Sequence, residues 1–575
     1  MRDDLIKKKW MVHSKKADFE GISKRFGIDP VTARILRNRD IVSEKEIDMF
    51  LNGSLSDLYD ASLLPDGVKA AELIAQKIRE GKKIRIVGDY DVDGVCSTYI
   101  LSDTLKNLGA DVTEAIPDRI LDGYGINERI VDGCIEDGID TIITCDNGIS
   151  AYDALKKAKD RGITIILTDH HDIRTDEDGS EILPEADTIT NAKLKASEYP
   201  ESEICGAVTA WKMAGLIYKA MGRSEGENLK YLEFAAIATV CDVMSLKGEN
   251  RIIVKEGLKA LSRGAVNTGI RALIDVNELK KEITCYHLGF VLGPCINAAG
   301  RLENAKKALE LFNAASYEEA VDRAQYLKEL NDSRKLMTEN GVAEALNVVK
   351  AEKEDKKILV VYLPKLHESL AGIVAGKVKE HYNRPTIVLT DSENDDSVIK
   401  GSGRSIDTWN MFENLLKCED LMLKFGGHPT AAGMSLKRDN LEALEKRLND
   451  NCTLTDEDME LKIWIDVPMP MSYVTEELIG ELAKLEPFGN GNPKPVFAEK
   501  NVHPANMRVM GKLRNALKAD LYTSDGAIIK GIAFGDGDSV REDFANSKNF
   551  SILYYPQINE YNGLRSIQVV IEDYL

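Results

Sequence analysis

Residues 82–94 read KKIRIVGDYDVDG, an apolar run that ends in a turn with three aspartates. The first part alternates and is rich in β-branched side chains, which is typical of a buried strand. Asp89, Asp91 and Asp93 follow at alternate positions, and Gly94 closes the turn. The pattern therefore predicts a strand whose carboxyl end presents a cluster of carboxylates.

The acidic turn has three possible interpretations. Its D-x-D-x-D-G spacing fits the start of an EF-hand calcium loop, but the twelfth position, which needs a bidentate glutamate, is Ile100. An EF-hand also requires a preceding helix, whereas a strand is predicted here. The turn could instead be a solvated acidic loop, or a divalent-metal site at the carboxyl end of a strand, where open α/β sheets bind their ligands.

The same alternation of helices and strands continues along the chain. Helical runs such as AAELIAQKIREG and STYILSDTLKNLG alternate with apolar strand-like runs, and each strand ends in a polar cluster: GDYDVDG, PDR, CDNGIS and TDHHD. This spacing predicts a parallel, doubly wound sheet. Because the carboxyl ends of parallel strands lie at one edge, we expect the polar clusters to meet there.

The residues expected at this edge form a set of carboxylates and imidazoles. They are Asp89, Asp91, Asp93, Asp146, Asp169, His170, His171 and Asp242, the last at the end of the apolar helix YLEFAAIATVCDVMSL. Carboxylates this close repel one another unless cations offset the charge. Carboxylates with imidazoles suit Mg²⁺ or Mn²⁺, and the imidazoles favour Mn²⁺. Such a set can hold two ions roughly 3.5–4 Å apart, the arrangement that hydrolyses phosphate esters.

The rest of the chain predicts an α/β protein of two α/β domains, which a long helix joins, and a C-terminal β-barrel. The expected divisions are an N-terminal helical cap (1–60), the first α/β domain (61–260), a helical segment with the connecting helix (261–355), the second α/β domain (356–452) and the barrel (453–575).

Composition limits the function classes. The formal net charge of −20 argues against a broad basic surface for nucleic acid, although a few arginines can still hold a phosphate. The nine cysteines form no C-x-x-C pair, which excludes a typical zinc site and indicates a reducing cytoplasm. The N-terminus lacks a secretory signal, and no apolar run reaches the length of a membrane span.

In this order, GDYDVDGVCS, CDNGIS, DHH and ATVCDVMSLKGENR resemble the motifs of the DHH phosphoesterase superfamily. LGPCINAAGRLENA, HESLAGIVAGKVKE, GSGRSID, KFGGHPTAAGMSL and LEPFGNGNPKPVF resemble the RecJ family within it, so that the likeness covers nearly all of residues 60–575. The resemblance implies a DHH domain, a DHH-associated domain and an OB-fold. It also implies a single-stranded-DNA-specific 5′→3′ exonuclease that releases 5′-mononucleotides in DNA repair and recombination.

The resemblance further implies a role for each motif residue. The implied metal ligands are Asp89, Asp91, Asp93, Asp146, His170 and Asp242, with Asp146 as the bridging ligand. Asp89 could instead orient the ligands, as Asp169 is expected to do. His171 should lie against the scissile phosphate. The implied cofactors are two divalent ions, with Mn²⁺ preferred over Mg²⁺.

The implied substrate contacts are mostly arginines, which bind phosphate bidentately and keep their charge. Arg119, Ser402 and Arg404 should hold the 5′-terminal phosphate, Asn297 and Arg301 the strand backbone, and His428 should face the nucleotide. A glycine-rich loop at FGGHPTAAG would let backbone amides approach phosphate oxygens. In RecJ sequences a basic residue is usual where this chain has Cys295, which could weaken the grip on the strand.

The expected partners are single-stranded DNA, a single-strand-binding protein and a RecQ-type helicase, and a monomer is expected. Aromatic residues of the OB-fold that could stack on bases are Phe488, Phe497, Tyr554, Tyr555 and Tyr561, although several of them are expected to belong to the barrel core. Two other functions are compatible with parts of the pattern. A phosphodiesterase of short oligonucleotides or cyclic dinucleotides is disfavoured by the third domain. A non-catalytic single-strand-binding relative is disfavoured because every candidate metal ligand is present.

Overall fold

A computed structural model describes residues 6–119, 122–393, 395–546, 550–561 and 563–575. The chain divides into two compact units. The first unit contains residues 43–334 and 486–493, and the second contains 1–42, 335–485 and 494–575. None of the helices in the described residues combines the length and the apolar character needed to cross a membrane.

The first unit is built on a sheet of five parallel strands. In spatial order the strands are Asp111–Ala115, Lys83–Val87, Thr141–Cys145, Thr164–Thr168 and Thr188–Thr190. Every neighbouring pair is parallel, so all five carboxyl ends lie at one edge. This confirms the predicted parallel sheet. The short fifth strand was not predicted.

Helices surround this sheet. They are Glu44–Asn52, Gly67–Arg79, Val92–Asn107, Glu128–Glu136, Tyr152–Asp160, Gly206–Ala220, Leu232–Cys241, Gly248–Gly264, Thr268–Val276, Cys285–His287, Gly293–Leu302 and Lys306–Phe312, with a π-helical turn at Leu288–Leu292. The Val92–Asn107 and Gly206–Ala220 helices are buried along most of their length. Helices that are apolar on all sides belong in a domain core. These two lie in the core of the first unit, and they deliver polar residues to the edge of the sheet.

The predicted long helix is confirmed. It runs over Tyr317–Val348 and continues as a π-helical turn over Val349–Lys353. Its sequence contains no proline, so nothing in the run removes a backbone hydrogen bond.

A mixed five-stranded sheet forms the middle of the second unit. In spatial order its strands are Met422–His428, Ala431–Lys437, Asp395–Arg404, Thr386–Ser392 and Leu359–Tyr362, and its helices are Ala371–Tyr382, Met411–Leu416 and Leu441–Asp450. The expectation of a glycine-rich loop at FGGHPTAAG was wrong. The segment is an antiparallel hairpin in which Gly426 pairs with Gly433 and His428 with Ala431. Ala431–Lys437 has a ladder partner on each side, whereas Met422–His428 lies at the edge of the sheet and pairs only with Ala431–Lys437.

The C-terminal part of the second unit is a sheet of six strands. In spatial order they are Val467–Pro468, Phe497–Met510, Ala516–Tyr522, Ile528–Phe534, Leu564–Tyr574 and Phe550–Tyr561, accompanied by the helices Glu476–Ala483 and Gly537–Asn546. Phe497–Met510 pairs with both Ala516–Tyr522 and Phe550–Tyr561, so five strands close into a ring.

The N-terminal residues contain the helices Phe19–Phe26 and Pro30–Asn38, and also a strand that was not predicted. Lys8–Val12 pairs in parallel with Leu461–Ile465. The two strands are far apart in sequence, and a five-residue run with no hairpin partner nearby carries little local signal.

Candidate metal centre and phosphate-binding residues

The acidic turn lies between the Lys83–Val87 strand and the Val92–Asn107 helix. Asp91 caps the helix, because its Oδ1 accepts a hydrogen bond from the Gly94 amide at 3.0 Å. A Cβ at Gly94 would lie 2.5 Å from the backbone oxygen of Asp89. Only glycine fits there, so the closing glycine of the motif is what folds three carboxylates into one turn.

Asp93 faces the N-terminus of the Gly206–Ala220 helix. Its two carboxylate oxygens accept hydrogen bonds from the backbone amides of Gly206 and Ala207, both at 2.7 Å. The partial positive charge of a helix N-terminus stabilises such a carboxylate. A Cβ at Gly206 would lie 2.7 Å from the Cβ of Asp146, so glycine lets the helix end approach both acids. The long apolar run GAVTAWKMAGLIYKA could have indicated this helix.

His170 is the residue at which the separate segments meet. Its Nε2 lies 3.0 Å from Asp146 Oδ1, 3.4 Å from Asp93 Oδ2 and 3.7 Å from Asp242 Oδ2. Asp146 Oδ1, Asp242 Oδ2 and His170 Nδ1 are buried, and no described residue gives any of them a hydrogen bond. Buried polar atoms without partners are costly and rare, and these three fit a site that a cation completes.

The possible ligand atoms form three overlapping groups, within each of which they lie no more than 4.8 Å apart. The groups are Asp93, His170 and Asp242; Asp89, Asp91 and Asp146; and Asp146, His170 and His171. The structure therefore brings together every residue predicted as a metal ligand. Asp146 and His170 each belong to two groups, and of these two only Asp146 has two carboxylate oxygens with which to bridge two ions, while the coordination itself stays a prediction.

The pKa values of the clustered carboxyl groups are raised, which indicates that the cluster needs a positive charge nearby. Burial, followed by repulsion from Asp93, raises the pKa of Asp91, Asp146 and Asp242, and the pKa of Asp242 reaches about 8. Burial and the charge of Asp91 raise the pKa of Asp89 well above its usual value. A bound cation reverses this effect and keeps the carboxylates ionised.

Asp169 lies behind the cluster and holds both histidines. Its Oδ1 accepts from the His170 amide and pairs with His171 Nδ1, both at 2.7 Å, and its Oδ2 accepts from the Ile149 amide at 2.9 Å. Burial would raise the pKa of Asp169, but the hydrogen bond and charge of His171 lower it overall. Burial would lower the pKa of His171, but the bond to Asp169 raises it to about 9. His171 therefore carries a positive charge at neutral pH in the metal-free protein.

Tyr124 contacts the cluster, although it was not predicted as a site residue. Its hydroxyl donates to the backbone oxygen of Asp146 at 2.7 Å and lies 3.0 Å from His171 Nε2. A tyrosine in a glycine-flanked turn is ordinary, so neither its type nor its spacing marks it.

Arginines gather beside the acidic turn. The Arg119 guanidinium stacks on the Tyr90 ring at 4.6 Å. Burial and the charges of Arg119 and Arg334 lower the pKa of Arg301 to about 10. Asn297 lies one turn before Arg301 on the same face of the Gly293–Leu302 helix. Arg334 was not predicted, yet it adds a third positive group to this part of the first unit.

Cys295 is buried beside the long helix. Its sulfur accepts weak hydrogen bonds from Asn331 Nδ2 at 3.6 Å and Asn277 Nδ2 at 3.9 Å. Asn331 Oδ1 in turn accepts from Arg334 Nε at 3.1 Å and Nη2 at 3.0 Å. The cysteine thus supports the asparagine that holds Arg334, so positive charge is retained near Arg301.

The remaining predicted substrate residues lie in the second unit. Ser402 and Arg404 lie on one face of the Asp395–Arg404 strand, against the N-terminus of the Ala371–Tyr382 helix. A Cβ at Gly372 would come within 2.7 Å of Arg404 Nη2. A helix N-terminus beside an arginine suits an anion. His428 ends the Met422–His428 strand and is exposed.

Comparison with known proteins assigns the chain to a family. Family models match residues 83–239 (DHH family, N-terminal domain), 355–453 (DHHA1 domain) and 465–573 (RecJ OB domain). The single-stranded-DNA-specific exonuclease RecJ of Bacillus subtilis is 34% identical over 575 residues, 99% of this chain and 71% of that protein. Its Salmonella typhimurium namesake is 31% identical over 568 residues, 95% of this chain and 96% of that protein. The chain belongs to the RecJ family.

Solved RecJ structures carry divalent metals. The crystal structure of Thermus thermophilus RecJ with Mn²⁺ superposes with a TM-score of 0.83 at 26% identity, over 100% of this chain and 80% of that one. The Mg²⁺ complex gives 0.77 at the same identity, over 100% and 79% of the two chains. The RecJ assignment confirms the predicted family, the three-domain fold and the class of cofactor.

The structure shows which of the possible stacking residues belong to the core of the RecJ OB domain. Phe497, Tyr554 and Tyr555 are buried, and the Phe497 and Tyr554 rings pack 5.7 Å apart. These three side chains therefore build the domain core rather than a surface for bases. Phe488 is half-buried and belongs to the first unit, and the side chain of Tyr561 lies outside the described residues.

Proposed function

We propose that this chain is a metal-dependent exonuclease that hydrolyses single-stranded DNA from its 5′ end and releases 5′-mononucleotides. The observation that carries the proposal is His170 Nε2, which lies within 3.7 Å of carboxylate oxygens from three separate segments of the chain. Two of those oxygens are buried without a hydrogen-bond partner from any described residue. Such a set needs cations, and cations beside arginines suit the hydrolysis of a phosphodiester.

The three ligand groups support two metal positions. Asp93, His170 and Asp242 would hold one ion, and Asp89, Asp91 and Asp146 the other, with Asp146 close enough to His170 to serve both. When bound, a pair of Mn²⁺ or Mg²⁺ ions lowers the pKa of water and neutralises charge on the phosphoryl oxygens. The hydrogen bonds from the Gly206 and Ala207 amides hold the Asp93 carboxylate in place for this purpose.

His171 acts on the substrate rather than as a main ligand. Asp169 holds its Nδ1, and Tyr124 lies against its Nε2, so the ring is fixed in orientation. A fixed imidazole beside the metals can donate a hydrogen bond to a phosphoryl oxygen, which stabilises the negative charge that grows there.

The arginines hold the strand. Arg301, Arg119 and Arg334 lie beside the acidic turn. Arg301 and Arg334, with Asn297 nearby, would bind backbone phosphates, and the assignment of Arg119 to the 5′-terminal phosphate stays a prediction. Ser402 and Arg404 bind the terminal 5′-phosphate at the N-terminus of the Ala371–Tyr382 helix, and His428 contacts the nucleotide. A terminal phosphate has one more charge than an internal one, so this site would select the 5′ end.

The OB domain extends the contact along the strand and favours single strands over duplex. The family role in repair and recombination implies a single-strand-binding protein and a RecQ-type helicase as partners. The nine cysteines are all free, which fits the cytoplasm. We propose that the chain acts there as a monomer.

The test compares single strands labelled at the 5′ or the 3′ end, with and without Mn²⁺. We expect labelled mononucleotide at once from 5′-labelled strands and only late from 3′-labelled strands, and intact blunt duplex. Asp146→Ala should abolish cleavage, whereas Asp153→Ala, which removes an exposed aspartate that belongs to none of the three ligand groups, should not. Early product from the 3′-labelled strand, or cleavage restricted to short oligonucleotides, would refute the proposal.

A further inference from the structure

The segment EPFGNGNP (486–493) belongs to the first unit, although the residues on both sides of it belong to the second. It packs on the loop that follows Asp242. Asn490 Nδ2 donates a hydrogen bond to the backbone oxygen of Val243 at 2.7 Å, and the Leu246 amide donates to the backbone oxygen of Asn490 at 2.8 Å. One residue therefore holds both ends of the Val243–Leu246 loop.

The contact is close enough to require glycine. A Cβ at Gly489 would lie 2.6 Å from Leu246 Cδ1, and a Cβ at Gly491 would lie 2.2 Å from Ser245 Oγ. Gly491 also has a φ of +71°, which favours glycine. The two glycines of the motif therefore allow the segment to lie close to this loop.

The segment is also held by hydrogen bonds within itself and to Arg251. Gly489 and Asn492 exchange backbone hydrogen bonds of 2.9 and 3.1 Å, which makes a rigid turn. The fully buried Arg251 donates to the backbone oxygens of Glu486 at 2.7 Å and Phe50 at 2.9 Å. Asn490 is thus carried on a part of the chain that is itself held in place.

The loop that Asn490 holds is strained. Asp242 ends the Leu232–Cys241 helix, and the amides of Val243 and Met244 donate to the carbonyls of Val240 and Thr239 at 3.2 and 3.0 Å. In this helix ending the left-handed residue is usually glycine. Here it is Val243, with a φ of +58°. A β-branched residue persists in that conformation only where its surroundings impose it.

We propose that Asn490 is a positioning residue for Asp242: it holds Val243 in the left-handed conformation and thereby aims the Asp242 carboxylate at His170. Asp242 Oδ2 lies 3.7 Å from His170 Nε2 in this arrangement. The inference rests on the proposed function, in that Asp242 is taken as a metal ligand. It gives a role at the metal centre to the GNGNP motif, which lies within the stretch matched by the RecJ OB domain but packs in the first unit.

The experiment measures Mn²⁺ binding to the full chain without DNA, by the electron paramagnetic resonance signal of free Mn²⁺. For Asn490→Ala we expect about tenfold weaker binding at one position, which corresponds to about 1.4 kcal/mol. The matched control is Asn107→Ala, because Asn107 is also exposed and donates its amide to a backbone oxygen, that of Asp103 at 2.7 Å. The control should bind as the wild type does.

A second substitution separates positioning from general stability. Val243→Gly removes the cost of the left-handed conformation, so the double variant Asn490→Ala/Val243→Gly should recover most of the lost affinity. Wild-type affinity in Asn490→Ala, or an affinity in the double variant as weak as in the single one, would overturn the inference. Asp242→Asn is the reference variant. If it binds Mn²⁺ like the wild type, the proposed function fails. If it binds Mn²⁺ weakly and Asn490→Ala binds normally, only the role of Asn490 fails.

Discussion

Two helix N-termini in this molecule are surrounded by opposite charges. At the Gly206–Ala220 helix the amides of Gly206 and Ala207 donate to the carboxylate of Asp93. At the Ala371–Tyr382 helix the guanidinium of Arg404 lies beside Gly372. The first helix end is matched by an anion of the protein itself, which then attracts cations. The second places a positive side chain beside the positive end of a helix, an arrangement that suits an anion such as the proposed 5′-phosphate.

The difference suggests how the same kind of element, a helix N-terminus, can serve two different sites. At the first, the helix amides hold a carboxylate in place, and the carboxylates around it raise one another's pKa, which favours bound cations. At the second, we propose that the helix end and Arg404 together bind a phosphate of the substrate. Substitutions at the two ends test whether they have these separate functions.

The largest effect should follow from Asp93→Asn, which keeps the size of the side chain and removes the charge at the first helix end. We expect cleavage of single-stranded DNA to fall by at least about 100-fold, more than the loss of an outer partner causes. The assay is mononucleotide release under excess Mn²⁺, with circular dichroism to check the fold. Asp153→Ala is the control, and near-normal cleavage by Asp93→Asn would refute its place in the centre.

Asp169→Asn should lower the rate by about 10- to 100-fold, because Asp169 orients both histidines without being a ligand itself. The pKa of His171, followed by nuclear magnetic resonance in the metal-free protein, should fall from about 9, since the charge that raises it is gone. An unchanged pKa would show that Asp169 does not set the charge of His171.

Arg404→Ala should change the choice of strand end rather than the chemistry. A lost charge-assisted hydrogen bond is worth roughly 1.5–3 kcal/mol, so the preference for a 5′-phosphate over a 5′-hydroxyl end should fall about tenfold or more. The measurement is the ratio of kcat/KM for the two ends. Arg438→Ala, which removes an exposed arginine of the same unit paired with Asp391, should leave the ratio unchanged. An equal loss on both kinds of end would contradict the assignment.

The smallest effect concerns pH. The pKa of Asp242 in the folded, metal-free chain is raised from 3.8 to about 8, so protonation stabilises the fold. That contribution is fully present below pH 3.8 and is lost as pH rises through about 8. Mn²⁺ competes with the proton, so the rise in Tm that Mn²⁺ causes should be larger at about pH 8.5 than at about pH 6. Asp242→Asn should reduce this difference, and an equal rise at both pH values would count against the shift.

Much of the centre could be predicted because the signal is local. Each strand is a short apolar run, and each delivers its polar residue in the next few positions, as with Asp146 and His170. Parallel pairing then brings the ends together without any further information. The same logic gave the helix that ends at Asp242 and the long helix from Tyr317.

The features that could not be predicted from the sequence depend on residues that are far apart along the chain. The Lys8–Val12 strand has its partner at Leu461–Ile465, and Arg334 becomes important only because Arg301 lies nearby. The glycines of residues 422–437 indicate a flexible backbone and so predict a loop. The segment is instead a hairpin, and its second strand, Ala431–Lys437, also pairs with the Asp395–Arg404 strand. Aromatic residues such as Tyr554 carry no mark in the sequence that separates core from binding surface.

The central claim is that residues from distant segments hold two cations at the edge of the parallel sheet. Anomalous diffraction from crystals grown with Mn²⁺ tests it most directly. We expect two anomalous peaks. One should be in contact with Asp93, His170 and Asp242, and the other with Asp89, Asp91 and Asp146. Peaks that lie elsewhere on the chain, or none at the sheet edge at saturating Mn²⁺, would contradict it.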